Sequence, residues 1–409
     1  MTPATATLSD PLVLPCGATL PNRLAKAAMS EQLARRDGAT TPRLRRLYEV
    51  WGRSGAGLLV TGNVMVDRDA LTEPGNVLVT DGRDLAGLRE WASAAQQGGS
   101  RVWMQINHPG RVAVTPFDRR PVAPSALRSG VPGYNLRRPR ELGAEQVRQL
   151  VGRFARTAEL AVAAGFDGVQ VHAAHGYLLS QFLSPLANRR DDEYGGDAAR
   201  RSRLLLEVVA AVRAAVGPQV PVGVKLNSQD FVRGGFEPDA SVQVALALAE
   251  AGVDLLEISG GGYEAPAMTG VVPTDPGPGQ EGYFERFAGR LRAETSMPIM
   301  LTGGLRSPEH LQALVGAGTV DVVGLGRPLA FTPTFPARIL AGESPTLPRH
   351  APRVGYRPLD GYLELAWHNA QLHRIATGRT PQRRPGLRTL LRSGLRIVVG
   401  ALRQVRVPR

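Results

Sequence analysis

A repeated unit runs through most of this chain: an amphipathic helical segment, a break of small residues, and a short apolar strand that ends in polar residues or glycine. The breaks read RSGAG, AAGFDG, EAGVD and GAGTVD, and the strands after them read LLVTGN, VQVHAA, LLEISGG and VVGLGR. Four more strand-like segments, NRLAKAAMS, VWMQINH, VGVKLNS and PIMLTGG, bring the number to eight. Eight alternating strand and helix units are typical of an α/β fold, the (β/α)8 TIM barrel.

The pattern also fixes approximate strand positions. One connecting helix, residues 145–165, carries the apolar residues Val147, Leu150, Val151, Phe154 and Ala158 on a single face. A doubly wound open sheet would use the same units, but it needs a GxGxxG turn after its first strand, and AAMS stands there instead. We predict strands at residues 24–30, 57–63, 102–108, 168–174, 222–228, 255–261, 298–304 and 320–326.

Two segments interrupt the regular alternation. Residues 109–144, after the third strand, are rich in Pro and Arg, and residues 262–281, after the sixth, are rich in Pro and Gly. Long loops in compact domains are commonly lids or binding loops. We therefore predict a barrel over residues 1–345 with a lid insertion and a long loop, followed by an Arg-rich helical extension over residues 346–409.

The net charge of +13 is unevenly distributed. Residues 379–409 contain nine arginines and no acidic residue, so the other 378 residues carry only about +4. This balance does not make the body of the chain a polyanion-binding surface, and we predict no nucleic-acid partner. Within the extension, arginines spaced four apart accompany an apolar stripe: Arg388, Arg392 and Arg396 with Leu387, Leu391, Leu395 and Val398.

That basic stripe has two interpretations. Such a helix suits weak contact with an anionic membrane surface, and it equally suits packing on the barrel or on a partner subunit in a homo-oligomer. The chain start has no secretory signal, and no stretch reaches about 18 apolar residues. Cys16 is the only cysteine, which excludes an intrachain disulfide and a cysteine-ligated iron–sulfur cluster. We expect a cytoplasmic protein.

The carboxyl ends of the predicted strands carry the candidate chemistry, because active sites of TIM barrels form there. This ring is polar and poor in carboxylates, and a third ligand beside His172 and His175 is not evident, so we predict no metal site. Its residues are Ser30, Gly62, Gln105, His108, His172, His175, Lys225, Asn227, Ser259, Gly303, Gly304, Gly326 and Arg327.

Within the ring, TGGLRS and GLGRPL follow the last two strands, where barrels often bind phosphate. Their glycines either expose backbone N–H groups to a phosphate or simply permit tight turns. Lys225 has three interpretations: a Schiff-base nucleophile, a fixed cation beside a cofactor, or half of a buried ion pair. Gln105 either pairs with a cofactor ring or satisfies neighbouring backbone groups.

Several motifs, taken in order, resemble the old yellow enzyme family of FMN-dependent ene-reductases. They are LPNRLAKAAMS, GLLVTGN, MQINHPGR, HAAHGYLLSQFLSPLANRRDDEYGG, VKLNS, TGGLRS and GLGRPL, and they cover residues 10–345. The resemblance implies a barrel with one non-covalent FMN, which NADH or NADPH reduces and which then reduces an activated C=C bond of a small molecule.

The resemblance also assigns residues to roles. Hydride would come from flavin N5, His172 and His175 would hydrogen-bond the substrate oxygen as an oxyanion hole does, and Tyr177 would donate the proton. The cofactor would be held by Ala28, Met29, Ser30, Gly62, Gln105, His172 and Lys225 around the ring, and by Gly303, Gly304, Gly326 and Arg327 at the phosphate.

Departures from the family pattern keep other functions open. Family members more often carry Arg at the position of Lys225, some carry Cys at that of Ser30, and Asn is common at that of Arg200. One alternative is an FMN-barrel RNA-modifying reductase such as a dihydrouridine synthase, which would need a cysteine acid on a barrel loop. The other is an aldolase-type barrel in which Lys225 forms a Schiff base.

Overall fold

Eight parallel strands close into a barrel in the computed structural model, which describes residues 5–113, 120–130, 138–269, 281–347 and 357–384. Each strand pairs with the next along the chain, and the eighth pairs with the first. The predicted TIM barrel is therefore confirmed. The strands are β1 (Leu24–Lys26), β2 (Leu58–Val60), β3 (Arg101–Asn107), β4 (Gly168–Ala173), β5 (Val222–Asn227), β6 (Leu255–Ser259), β7 (Ile299–Thr302) and β8 (Val322–Leu325).

Helices cover the outside of the barrel. The longest helix among the described residues, α3, buries Val147, Leu150, Phe154 and Ala158, as its apolar stripe predicts. The helices are α1 (Pro42–Gly52), α2 (Leu85–Gln96), α3 (Ala144–Ala163), α4 (Leu178–Leu183), α5 (Ala198–Val216), α6 (Pro238–Glu250), α7 (Glu285–Arg292), α8 (Pro308–Gly316), α9 (Arg327–Phe331), α10 (Phe335–Leu340) and α11 (Arg357–Ile375).

The barrel interior changes from apolar to polar along its axis. Its lower part is a cluster that includes Trp103, Leu255 and Met300, and an N-terminal hairpin, Leu12–Val13 with Thr19–Leu20, packs against this cluster. Side chains alternate between the two faces of a strand, so the residues two positions further along point inward again. These next positions are polar, and they form the floor of a cleft at the carboxyl ends of the strands.

The interruptions of the repeat contain short elements of their own. After β3, a 3-10 turn (Gly110–Val112) precedes two short paired strands, Val122–Ala123 and Arg140–Glu141. After β2, Val64–Met65 pairs with β3 and with Val77–Leu78. The loop after β6 contains a 3-10 turn, Ala267–Thr269.

Helix α11 of the C-terminal segment packs directly on the barrel. In α11, Trp367 is fully buried, and the Asn369 side chain donates hydrogen bonds to the carbonyls of Ser30 and Glu31. The Arg-rich stretch at residues 387–398 lies outside the described residues. No described helix combines the length and the apolar character that crossing a membrane requires.

Candidate active site

An open cleft of about 910 Å³ lies at the carboxyl ends of the barrel strands. Its wall comes mainly from β1, β5, β7 and β8 and from α11. Ser259 of the polar ring lines it, as do eight of the thirteen residues to which the resemblance assigns roles: Ala28, Met29, His175, Lys225, Gly303, Gly304, Gly326 and Arg327. The other five, Ser30, Gly62, Gln105, His172 and Tyr177, surround it through the contacts described below.

A continuous hydrogen-bonded chain forms the floor of the cleft. Gln105 donates to Gln170 over 2.7 Å, and Gln170 donates to the Glu257 carboxylate over 2.8 Å. Lys225 Nζ lies 2.7 Å from the other Glu257 oxygen, which also accepts from Thr302 over 2.7 Å. Glu257 is fully buried. Lys225 is therefore both a cleft-lining cation and a member of a buried ion pair, two of the three predicted alternatives.

The turns after β7 and β8 form one end of the cleft, called here the phosphate end. Gly303 and Gly304 have φ angles of 132° and 73°, and a side chain on either would collide with the rings of Phe284 and Tyr283. Gly326 is different, since a Cβ there would meet only Met29, at 3.9 Å. The first two glycines are therefore required by the fold itself, whereas Gly326 keeps space open in the cleft.

Charged side chains from two helices meet at the phosphate end. Arg327 Nε lies 3.6 Å from Glu364 Oε1, and His368 Nε2 lies 3.1 Å from the same oxygen. Arg306 also lines the cleft and pairs with Glu281 over 3.3 Å. Glu364 and His368 belong to α11, so this end combines a predicted residue, Arg327, with residues that the sequence alone did not indicate.

The loop after β1 brings Ser30 and Gly62 together with Glu31. The Gly62 amide donates to Glu31 Oε1 over 2.9 Å, and a Cβ on Gly62 would lie 2.0 Å from Glu31 Oε2 and 2.3 Å from the Met29 carbonyl. Packing within the protein thus accounts for the glycine at position 62. The Ser30 hydroxyl is buried and has no hydrogen-bond partner among the described residues. A buried, unsatisfied hydroxyl beside a cleft is suited to bind a polar ligand atom.

Two imidazoles lie at the opposite end, called here the chemistry end. The ring centroids of His172 and His175 are 5.0 Å apart. His172 Nδ1 accepts a hydrogen bond from the Ala174 amide over 3.1 Å, which leaves the proton on Nε2. His175 Nε2 lies 2.7 Å from the Ser259 hydroxyl. A left-handed turn, with φ of 61° at His175 and 72° at Gly176, follows the end of β4.

Burial keeps both imidazoles neutral. Desolvation, and secondly the charge of nearby Lys225, lowers the pKa of His172 and of His175 well below the usual range. Neutral imidazoles can donate one hydrogen bond each without adding charge to the site. The two histidines are therefore suited to act as neutral hydrogen-bond donors and not as imidazolium acids.

Tyr177, the residue directly before α4, completes the chemistry end. Its ring centroid lies 4.9 Å from that of His172. Its hydroxyl lies 3.3 Å from Asn63 Nδ2 and 3.0 Å from the hydroxyl of Tyr263, a residue of the loop after β6. Neither Asn63 nor Tyr263 was a candidate, although Asn63 is the last residue of the second predicted strand; Tyr263 lies in a loop without a regular pattern.

His108 is the one ring residue that faces elsewhere. Its Nε2 lies 3.5 Å from Asp67, and it lines a separate surface cleft with Arg120 and Arg140. The prediction that His108 belongs to the polar ring was therefore wrong. Position 108 lies three residues after Gln105, and the alternation of side chains along a strand points these two residues to opposite faces.

Cys16 lies at the other end of the barrel. It belongs to the N-terminal hairpin loop, and its amide donates to Asp254, the residue before β6. A cysteine acid of an RNA-modifying barrel would have to reach the carboxyl ends of the strands, and Cys16 does not. Lys225 Nζ is likewise held by Glu257 Oε1 over 2.7 Å in a buried ion pair, which does not suit the freely attacking amine of a Schiff-base aldolase.

The residues of the cleft fit FMN. The unsatisfied Ser30 hydroxyl and the Gln105 amide offer polar groups to a ring system, Lys225 offers a cation, and Arg327 with the open space at Gly326 suits a phosphate. When bound and reduced, FMN supplies a hydride. The sequence did not single out three polar residues of this environment: Gln170, Glu257 and Thr302.

Comparison with known proteins identifies the family. A profile described as the NADH:flavin oxidoreductase / NADH oxidase family matches residues 8–344. The NADH-dependent flavin oxidoreductase iccE of Talaromyces variabilis is 35% identical over 413 residues, which cover 91% of this chain and 99% of that protein.

Solved structures agree with the sequence match. Morphinone reductase is 28% identical with a TM-score of 0.72 and covers 85% of this chain and 93% of its own. The old yellow enzyme homologue of Zymomonas mobilis is 26% identical with a TM-score of 0.71, covering 83% of this chain and 94% of its own. The resemblance seen in the sequence motifs is thus confirmed: the chain belongs to the NADH:flavin oxidoreductase / NADH oxidase family and is an FMN-dependent NAD(P)H oxidoreductase related to old yellow enzyme.

Proposed function

We propose that the chemistry end reduces an activated C=C bond, such as that of an enone, enal or nitroalkene, through named residues of this chain. The observation that carries the proposal is the cluster of neutral His172, neutral His175 and the Tyr177 phenol beside the cofactor cleft. Hydrogen-bond donors without charge suit a substrate that is neutral when it binds and becomes anionic as it reacts.

The two histidines hold the substrate oxygen in this proposal. Hydride addition to one alkene carbon moves negative charge to the carbonyl or nitro oxygen, and two N–H donors stabilise that charge more than they stabilise the neutral substrate. His172 supplies its Nε2 proton, since Nδ1 already accepts from Ala174. His175 is held by Ser259 and by the turn after β4.

Tyr177 supplies the proton to the second alkene carbon. The two histidines stay hydrogen-bonded to the substrate oxygen in this proposal. The Tyr177 hydroxyl is therefore the group of the cluster that can give up its proton. The residue is 7% exposed, so bulk water has little access to compete as the acid. A positioned acid of this kind typically contributes about 10²- to 10⁴-fold to the rate.

The other predicted residues hold the cofactor, together with His172, which faces both the flavin ring and the substrate in this proposal. Ala28, Met29, Ser30, Gly62, Gln105, His172 and Lys225 would surround the flavin ring, and Gly303, Gly304, Gly326 and Arg327 would receive the phosphate. The electron donor is NADH or NADPH. A structure of morphinone reductase has been solved with tetrahydroNAD, which supports binding of the nicotinamide over the same cleft.

Anaerobic stopped-flow spectroscopy tests this function. The NAD(P)H-reduced protein is mixed with enones, nitroalkenes and dienoyl thioesters, and with the saturated analogue of each as the matched control. Rapid return of the oxidised FMN band near 450 nm with one unsaturated class, and none with its saturated analogue, is the expected result. A fully FMN-loaded protein that no unsaturated compound oxidises would contradict the proposal.

We also propose a contact that the C-terminal extension makes, in addition to binding of the small-molecule substrate by the barrel. The Arg-rich residues 387–398 would either touch an anionic membrane weakly or pack on the barrel or on a second subunit of a homo-oligomer, within the cytoplasm. Co-sedimentation with anionic liposomes separates the two, when full-length protein is compared with a chain that ends at residue 384. Equal sedimentation of both would exclude the membrane role.

A further inference from the structure

The Tyr177 hydroxyl lies between two polar groups that the family resemblance did not assign. Asn63 Nδ2 is 3.3 Å from it, and the Tyr263 hydroxyl is 3.0 Å from it. A phenol oxygen has one proton to donate and two lone pairs that accept. An amide nitrogen can only donate, so Asn63 occupies one lone pair. When Tyr263 donates to the other, the Tyr177 proton can only point away from both residues.

The backbone holds Tyr263 in this position. Gly262, the residue before it, forms a β-bridge with His175. The Asn227 side chain links the same two loops, since it donates to the Gly261 carbonyl over 2.8 Å and accepts from the His175 amide over 3.1 Å. The loop that carries Tyr263 is therefore attached to the turn that carries His175 and Tyr177, and the hydroxyl contact is part of a connected structure.

The two tyrosines differ in their access to water. Tyr177 is 7% exposed, whereas Tyr263 is only partly buried and lines a second, open cleft with Glu264 and Arg111. After each turnover a proton must return to the buried phenol. Tyr263 is a hydroxyl in contact with Tyr177 on one side and with this open cleft on the other.

We propose that Tyr263 is a positioning residue that directs the Tyr177 proton toward the substrate and returns a proton to Tyr177 after each turnover, with Asn63 as the second donor to the phenol oxygen. This inference rests on the proposed function. The Tyr177 O–H bond breaks as a C–H bond forms at the substrate carbanion. The Tyr177 phenolate then takes the Tyr263 proton, and Tyr263 takes one from water. NAD(P)H supplies both electrons, and no tyrosine is oxidised.

Half-reaction kinetics provide the first test. Tyr263→Phe should slow oxidation of the reduced holoenzyme by an enone about tenfold or more, the value of one hydrogen bond to a charged group. It should leave reduction by NAD(P)H unchanged. Tyr194→Phe is the matched control, because it removes a buried tyrosine's hydroxyl bond to Glu207 outside the cleft, and it should change neither rate. Equal slowing of both half-reactions by Tyr263→Phe would overturn the proposal.

A second readout does not depend on turnover. The holoenzyme is labelled with ¹³C at tyrosine Cζ, and Tyr177→Phe assigns one of the eight tyrosine signals. Loss of a donor to the phenolate should move the ionisation midpoint of Tyr177 up by about one pH unit, a tenfold change, in Tyr263→Phe and independently in Asn63→Leu. An unchanged midpoint in either folded variant would overturn the proposal, and Asn63→Leu still tests it when Tyr263→Phe fails to fold.

A wrong role for Tyr263 and a wrong proposed function would give different results. If the wild-type protein reduces an enone, Tyr177→Phe abolishes this, and Tyr263→Phe has no effect on rate or midpoint, only the role of Tyr263 is wrong. If no variant and no wild-type protein oxidises with any enone, the proposed function falls and the proton-return role falls with it. The midpoint measurement then still decides whether Tyr263 acts on the Tyr177 phenol.

Discussion

The two ends of the cleft differ in the chemistry of the residues that form them. The phosphate end consists of glycine turns with a set of charges, among them Arg327, Arg306 and Glu364. The chemistry end consists of two imidazoles whose pKa desolvation lowers, His172 and His175, and of the buried phenol of Tyr177. Charge attracts a ligand that is always anionic, whereas neutral donors favour a group that becomes anionic only during reaction.

This difference predicts that substitutions at the two ends separate binding from chemistry. Changes at the phosphate end should alter the amount of FMN bound and leave the bound fraction active. Changes at the chemistry end should leave FMN bound and alter what it can reduce. A substitution that changed the wrong one of these two properties would weaken the distinction between the two ends.

The largest effect is expected for Tyr177→Phe. Loss of the proton donor should slow enone-dependent oxidation about 10²- to 10⁴-fold, because the second alkene carbon then lacks a positioned acid. Reduction by NAD(P)H needs no such acid and should keep its rate. Stopped-flow measurement of the two half-reactions checks this, and Tyr194→Phe serves as the control. Equal loss in both half-reactions would indicate a structural role for Tyr177.

The next largest effect is expected for the double variant His172→Ala with His175→Ala. A phenolate ligand resembles the charged oxygen of the reacting substrate, and loss of the two imidazole donors together should weaken phenolate binding about 10²- to 10³-fold. The long-wavelength charge-transfer band of the phenolate complex should disappear while FMN stays bound. His310→Ala, in a surface pair with Glu285, is the control. Persistence of the band would remove the oxyanion role.

A smaller effect, on binding alone, is expected for Arg327→Met. A hydrogen bond to a charged group is worth about 1.5–3 kcal/mol, so affinity for FMN should fall about 10- to 100-fold. Calorimetric titration of the apoprotein with FMN measures this. Arg338→Met removes a comparable cation from an exposed pair with Glu343 and should have no effect. An unchanged FMN affinity of Arg327→Met would contradict the assignment of the phosphate end.

The smallest effect concerns pH. Burial lowers the pKa of His172 and His175 in the folded protein, so below about pH 6.5 the unfolded chain binds more protons than the folded one. The free energy of unfolding should therefore decrease as the pH falls below that value, by at most about 1.4 kcal/mol per pH unit for each histidine. Urea unfolding at pH 5.5 and 7.5 should show a smaller decrease for His172→Asn. An equal decrease would mean that the imidazole is not held neutral.

Periodicity explains why much of the barrel could be predicted. Small-residue breaks and apolar runs located all eight strands, and the rule that TIM-barrel sites lie at strand ends led to Lys225 and to the glycines of the phosphate end. The same alternation of side chains also pointed to two further polar residues of the cleft, which the prediction did not include. Gln170 lies two residues before His172, and Glu257 two before Ser259, so each points to the same face as its partner.

Contacts between distant segments could not be predicted in this way. Tyr263 reaches Tyr177 because a β-bridge joins Gly262 to His175, a pairing of two loops that no local pattern records. Glu364 and His368 reach Arg327 because α11 packs against the barrel through buried Trp367, and sequence periodicity does not say where a helix docks. Such contacts depend on tertiary packing.

The most direct test of the central claim follows the hydrogen atoms into the product. The holoenzyme turns over an enone in ordinary water with NADH deuterated at both C4 positions, and NMR locates the deuterium. Hydride transfer at the cleft with Tyr177 as the acid predicts deuterium on the β-carbon and ordinary hydrogen on the carbon next to the carbonyl. Deuterium next to the carbonyl, or recovery of unreacted enone from an FMN-loaded protein, would contradict the account.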